Sequence, residues 1–203
     1  MIQFTGITGL ASSALATVAV VVMLPGVARI PKPCRIALAC AVALAALTPF
    51  DGLPLAAYVR GMTGDLSIAS LILLLSALLN RLTGWQPLEA QSRLVLLLLV
   101  ALAALWLYPM ALGIGSFDPY RAGYGNLWFM AALLATALAA CFRQFPVLAL
   151  AIALAVFAWS IGWYESANLW DYLLDPLLAS YATGALMKRG IQMQRERQQQ
   201  AIK

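Results

Sequence analysis

Apolar residues arrive in this chain in seven long runs, parted by short stretches of charge, glycine and proline. That punctuation limits the fold more than any motif does. The runs cover residues 7–27, 36–50, 66–82, 94–114, 127–142, 147–163 and 169–187. A helix needs about 20 residues to cross the hydrocarbon of a bilayer, within a range of about 17–25. The first and fourth runs fit; the second and fifth are short and would extend into their flanking loops or thin the bilayer locally. Composition points the same way. Of 203 residues, 63% are hydrophobic and 10% charged, against about 25% charged in an ordinary soluble domain, so the chain cannot cover itself in water. The expected fold is all-α: a polytopic integral membrane protein of about seven transmembrane helices. Residues 1–187 form a single transmembrane domain and 188–203 a basic tail. The first run reads as a retained helix rather than a signal peptide, because no Lys or Arg precedes Gly9 and no small-x-small cleavage site follows it.

Charge sets the expected orientation. Arg29, Lys32, Arg35, Arg81, Arg93 and Arg143 fall in one set of connections, and Lys188, Arg189, Arg195, Arg197 and Lys203 in the tail; the other connections hold only Arg60 and Arg121. Eleven against two places the basic side in the cytoplasm. The N-terminus is then outside and the C-terminus inside, which an odd number of spans requires. A multi-pass protein of a prokaryotic inner membrane is the expected location. The acids run the other way: Asp51, Asp65, Asp118, Glu165, Asp171 and Asp175 fall outside, Glu89 and Glu196 inside. Acidic residues contribute little to topology, so this outer rim needs its own explanation. Trp106, Tyr108, Trp128, Trp163, Tyr164, Trp170 and Tyr172 crowd the same boundary, where amphipathic rings anchor at headgroup level.

Several chemistries lose their usual residues. The chain has no histidine, and Cys34, Cys40 and Cys141 lack CxxC spacing. Free thiols, no cofactor and no metal site are therefore expected. There is no GxSxG, HExxH, P-loop or dinucleotide fingerprint. The net charge of +5 is distributed as topology, not as a nucleic-acid surface. Centres of the runs are nearly free of ionisable groups, which argues against a transporter. The exception is Asp175-Pro176, which interrupts the seventh run; further on, Ser180 and Gly184 would allow close helix packing.

Candidate ligand-binding residues are Asp51, Arg60, Asp118, Arg121, Glu165, Asp171 and Asp175, and candidate catalytic residues are Asp118, Asp171 and Asp175. An arginine fork at the headgroup boundary suits a lipid phosphate or carboxylate, and paired carboxylates suit general acid–base work. Each also has a plainer reading. Asp51 and Asp118 head turns, Asp65 caps a helix, Asp175 caps one starting at Pro176, and Asp171 faces water. If residues 171–175 were helical, Asp171 and Asp175 would share a face, with a cation or Arg121 between them. Three functions stay open. The first is a cell-envelope protein whose acidic, aromatic rim binds membrane lipids, a lipid-linked intermediate or another membrane-protein subunit. The second is a membrane-embedded hydrolase or transferase that uses the outer carboxylates on a lipid-linked substrate. The third is a small transporter. No nucleic-acid partner is expected.

Overall fold

The computed structural model describes residues 4–201; Lys203 of the basic tail lies outside them. Regular structure among these residues is helical apart from one small hairpin. The helices are α1 (Phe4–Met23), α2 (Lys32–Leu47), α3 (Leu55–Thr63), α4 (Ile68–Thr83), α5 (Ala90–Ala111), α6 (Leu127–Phe142), α7 (Pro146–Ser160), α8 (Trp170–Leu173) and α9 (Pro176–Ala201). The hairpin pairs β1 (Pro49–Phe50) with β2 (Leu53–Pro54). It turns through Asp51 and Gly52, whose φ values of 53° and 91° suit the two-residue turn that Asp-Gly favours. Asp51 therefore has the turn role.

The ends of the helices follow local chemistry. Ser67 caps α4 by accepting from the Ser70 amide, and Gly84 closes it in the left-handed region. Asn126 caps α6 by accepting from Trp128 and Phe129. Proline near the first positions of α2 and α7 costs nothing there, since those N–H groups have no intrahelical partner.

Helix packing is by small residues. Val18, Ala19 and Val22 of α1 meet Ala39 of α2 and Leu78 of α4. Leu96, Leu97, Val100 and Ala101 of α5 meet Leu148 and Ile152 of α7 and Leu178 and Ala182 of α9. Ala46, Ala56 and Ala182 are wholly buried, whereas Leu44 is 69% exposed, Leu105 63% and Leu134 61%. Alanines thus fill the helix contacts alongside buried leucines, while other large leucines lie on the outer surface of the helices.

By length and composition, Thr5–Met23 and Ala90–Ala111 could each cross a membrane, while Ile68–Thr83, Leu127–Phe142 and Pro146–Ser160 are apolar but shorter. A 16-residue helix is about 24 Å long, below the roughly 30 Å of hydrocarbon. The seventh run is not one helix. Leu174 is extended (φ −149°, ψ 153°) and separates α8 from α9. The residue before a proline avoids helical geometry, so Asp175-Pro176 forces the break. In exchange α9 continues through the basic tail to Ala201.

Candidate functional site

At the end of the bundle where α1 and α4 begin, the break before α9 sends Asp171 and Asp175 to different partners, so the shared helical face does not form. Asp175 is 4% exposed. One oxygen, Oδ1, accepts from the Leu178 amide at 2.8 Å and caps α9 as expected. The other, Oδ2, accepts from the Ser67 amide at 2.9 Å, from the Ser67 hydroxyl at 2.8 Å and from the Ser70 hydroxyl. A buried carboxylate is tolerable when its lone pairs are satisfied in this way. Asp175 therefore joins the starts of α4 and α9.

Asp65 is not the cap of α4; Ser67, two residues on, takes that role. The Asp65 carboxylate is instead held by Arg60, whose Nε donates to Oδ1 at 2.6 Å and whose Nη2 donates to Oδ2 at 2.9 Å. Glu165 adds a contact to the same guanidinium at 3.3 Å, although 63% of its side chain is exposed. These bonds, Asp65's above all, hold the guanidinium proton more tightly than usual. The fork lies on α1 at Gly9, where a Cβ would come within 2.3 Å of Arg60 Nε and 2.6 Å of Asp65 Oδ1. Only glycine fits there.

Asp171 accepts from the Tyr120 hydroxyl at 2.9 Å and from the Ser166 hydroxyl at 2.6 Å. Around it the third acidic loop (residues 164–176) is stitched to the second (residues 113–126). Asn168, fully buried, donates to the Tyr120 carbonyl at 2.9 Å and accepts from the Trp170 amide at 2.9 Å. The Trp170 ring nitrogen donates to the Pro119 carbonyl at 3.0 Å, and the Leu169 amide to the Gly123 carbonyl at 2.9 Å. Tyr172 closes the third loop on itself by donating to the Ser166 carbonyl at 2.9 Å and accepting from the Tyr164 amide at 3.1 Å.

Asp118 accepts from the Tyr120 amide at 3.0 Å and caps the 3-10 turn Pro119–Gly123. Its turn role is thus the observed one. Arg121, in that turn, is exposed. Among the described residues its guanidinium meets no carboxylate or carbonyl. Exposed Phe117 and Tyr124 flank it. Asp118 and Asp171 thus accept from the amide and the hydroxyl of the same Tyr120, whereas Asp175 is held apart from them by Ser67, Ser70 and Leu178. Among the described residues no group of three or more His, Cys, Asp or Glu could hold a metal ion. All three cysteines are free.

Two tyrosines of this end carry a pH signature. Burial, then the hydrogen bond to Asp171, raises the Tyr120 hydroxyl above its ordinary value of 10.0. Tyr164 is also raised by burial, and the negative charge of Asp65 adds to it. A raised folded-state pKa stabilises the fold fully below the unfolded value and loses that contribution as pH climbs toward the folded one. Stability should therefore fall above about pH 10, with some tyrosines resisting ionisation until the fold is lost. Absorbance of tyrosinate followed alongside unfolding checks this. If every tyrosine ionised near pH 10 in folded protein, the described burial would be wrong.

Ser67, Ser70, Tyr120, Ser166, Asn168, Gly9 and Gly123 complete these clusters and were not singled out as site residues from the sequence. Only the serines at the start of α4 carried a signal, as helix-capping types next to Asp65. Compared with known proteins, the chain matches no family model, no curated protein and no solved structure.

Proposed function

We propose that this chain is a multi-pass membrane protein of a prokaryotic inner membrane. In this reading α1, α2, α4, α5, α6, α7 and α9 span the bilayer, with the acidic end outside and the α9 tail in the cytoplasm. The large exposed leucines over the helix surfaces support it, because contiguous apolar surface of that extent needs lipid or a partner to cover it. The helices of 15–16 residues are accommodated by local thinning or by oligomerisation.

At its outer end the protein recognises an anionic headgroup, either of a membrane lipid or of a lipid-linked intermediate. The observation that carries this reading is Arg121, an exposed guanidinium that meets no carboxylate or carbonyl among the described residues, on a loop that Asn168 and Trp170 hold in place. The acids of the rim have their own work. Asp65, Asp171 and Asp175 are spent on donors within the chain, and Asp51 and Asp118 form turns. A planar fork on a rigid loop loses little entropy on binding phosphate or carboxylate. The catalytic alternative, with Asp118, Asp171 and Asp175 acting together, draws no support from an Asp175 that is buried and bonded to Ser67, Ser70 and Leu178, none of which touches the other two carboxylates.

The test is native mass spectrometry of full-length protein taken from membranes in mild detergent. Arg121→Ala should retain about tenfold less anionic lipid than the parent, while Arg121→Lys should retain an intermediate amount. Equal retention by all three would overturn the reading. Orientation is checked separately by Ser116→Cys in a background lacking Cys34, Cys40 and Cys141. An impermeant thiol reagent applied outside intact cells should label it, and labelling from the inside only would reverse the topology.

A further inference from the structure

A second cluster lies at the opposite end of the bundle, where α1 and α4 end and α2 begins. Three cations converge there on carbonyls of the last helical turns. Arg35 of α2 donates through Nη1 to the Arg81 carbonyl at 2.6 Å and through Nε to the Ile30 carbonyl at 3.1 Å. The Arg81 side chain donates through Nε to the Val22 carbonyl at 3.4 Å. Lys32 donates to the Thr83 carbonyl at 3.4 Å. Arg35 and Arg81 are half-buried, and Lys32 is exposed.

Capping the ends of α1 and α4 explains each contact taken alone, because cations favour helix C-termini. It does not explain the set. A guanidinium offers five N–H donors; Arg35 spends two on carbonyls and Arg81 one, so most are left over. The carbonyls that hold Arg35 and Lys32 belong to Arg81 and Thr83, in one turn of α4, so both cations sit at the helix end from which the Arg81 side chain also springs. No carboxylate pairs with any of them; the ion pairs among the described residues are those of Arg60. Like charges gathered in a partly desolvated corner repel, and an anion there would relieve that cost while taking up the spare donors.

We propose that Lys32, Arg35 and Arg81 form a binding site for a phosphate group. A monoester or diester fits best, since two guanidinium forks and an ammonium match its several oxygens. The same chemistry could come from the headgroup of an anionic lipid or from a soluble phosphate. This site is independent of Arg121 and of the outer rim.

Binding is measured by titrating full-length protein in neutral detergent with short-chain phosphatidylglycerol, with inorganic phosphate and with a diacylglycerol of the same tails. The parent protein is expected to bind at least one phosphate-bearing probe and to bind it better than the diacylglycerol. Lys32→Gln alters an exposed side chain with one long hydrogen bond, so the fold survives it, and it should weaken binding about tenfold. The charge-preserving Arg35→Lys should weaken it to a lesser degree by removing the fork. Arg143→Gln, a cation between α6 and α7, should leave it unchanged. Binding of phosphatidylglycerol alone assigns a lipid headgroup; binding of inorganic phosphate as well assigns a site open to soluble phosphate. The proposal is overturned if neither probe binds, if the diacylglycerol binds as tightly, or if Arg143→Gln weakens binding as much as Lys32→Gln.

Discussion

Replacing Asp175 with asparagine is expected to lower stability by about 3 kcal/mol, although the side chain keeps its size. The reason lies in which oxygen takes which donor. Oδ2 receives the Ser67 amide and two hydroxyls, and Oδ1 receives the Leu178 amide. The hydroxyls can rotate, but the two backbone amides cannot turn away. An asparagine has one carbonyl oxygen, so either orientation sets its NH2 group against a backbone N–H. Thermal unfolding followed by tryptophan fluorescence in detergent should show a midpoint about 6–12 °C lower. Asp175→Ala should do at least as much damage, because it strands all the donors and leaves a void. A midpoint within about 2 °C of the parent for both variants, on the same scale, would mean that the carboxylate does not join α4 to α9.

The second large effect is expected from adding one methyl group. Gly123→Ala would place a Cβ 1.7 Å from Asn168 Oδ1 and 2.9 Å from the Trp170 ring. Asn168 cannot step aside without breaking its bonds to the Tyr120 carbonyl and the Trp170 amide, and Trp170 is itself buried. Overpacking of this kind costs about 1–3 kcal/mol. The substitution should also loosen the loop that carries Arg121, so limited proteolysis after Arg121 should accelerate. Gly6→Ala is the matched control: it lies in α1 with open space around its Cβ position, and helix propensity makes alanine neutral or slightly stabilising there. If the two substitutions behaved alike, the close contact of Gly123 with Asn168 and Trp170 would be refuted.

Much of the helical layout was legible because it is local. Runs of apolar residues ended by Gly, Pro or a capping side chain marked α1, α4, α5, α6 and α7 to within a few residues. Asp-Gly announced the turn at Asp51, and Asp-Pro announced the start of α9. The short α3 was hidden in the connection between the second and third apolar runs, where Pro54 and Gly64 bound it. The seventh run reads as one span despite its Asp-Pro interruption because leucine and alanine lie on both sides of the break. The clusters were harder for a physical reason. Their bonds join residues far apart in the chain, Ser67 with Asp175 across 108 positions and Tyr120 with Asp171 across 51, and no periodicity records such a pairing. Acidic residues could be picked out by type, but Asp65 went to Arg60 rather than to a helix end because Gly9 leaves room for the fork. Which acids were committed to partners, and that Arg121 was not, became visible only with the loops in place.

The bond between Asp175 and the start of α4 also sets an order of events in time. Ser67 and Ser70 emerge from the ribosome long before their acceptor does. At about 5–20 residues per second, the 108 intervening positions take roughly 5–20 s to synthesise. Throughout that interval the buried end of α4 has donors that lack the Asp175 carboxylate. The junction of α4 with α9 can therefore close only when α9 arrives. A nascent chain arrested before Asp175 would leave the start of α4 unjoined and protease-sensitive, and the arrival of α9 is the step that closes it.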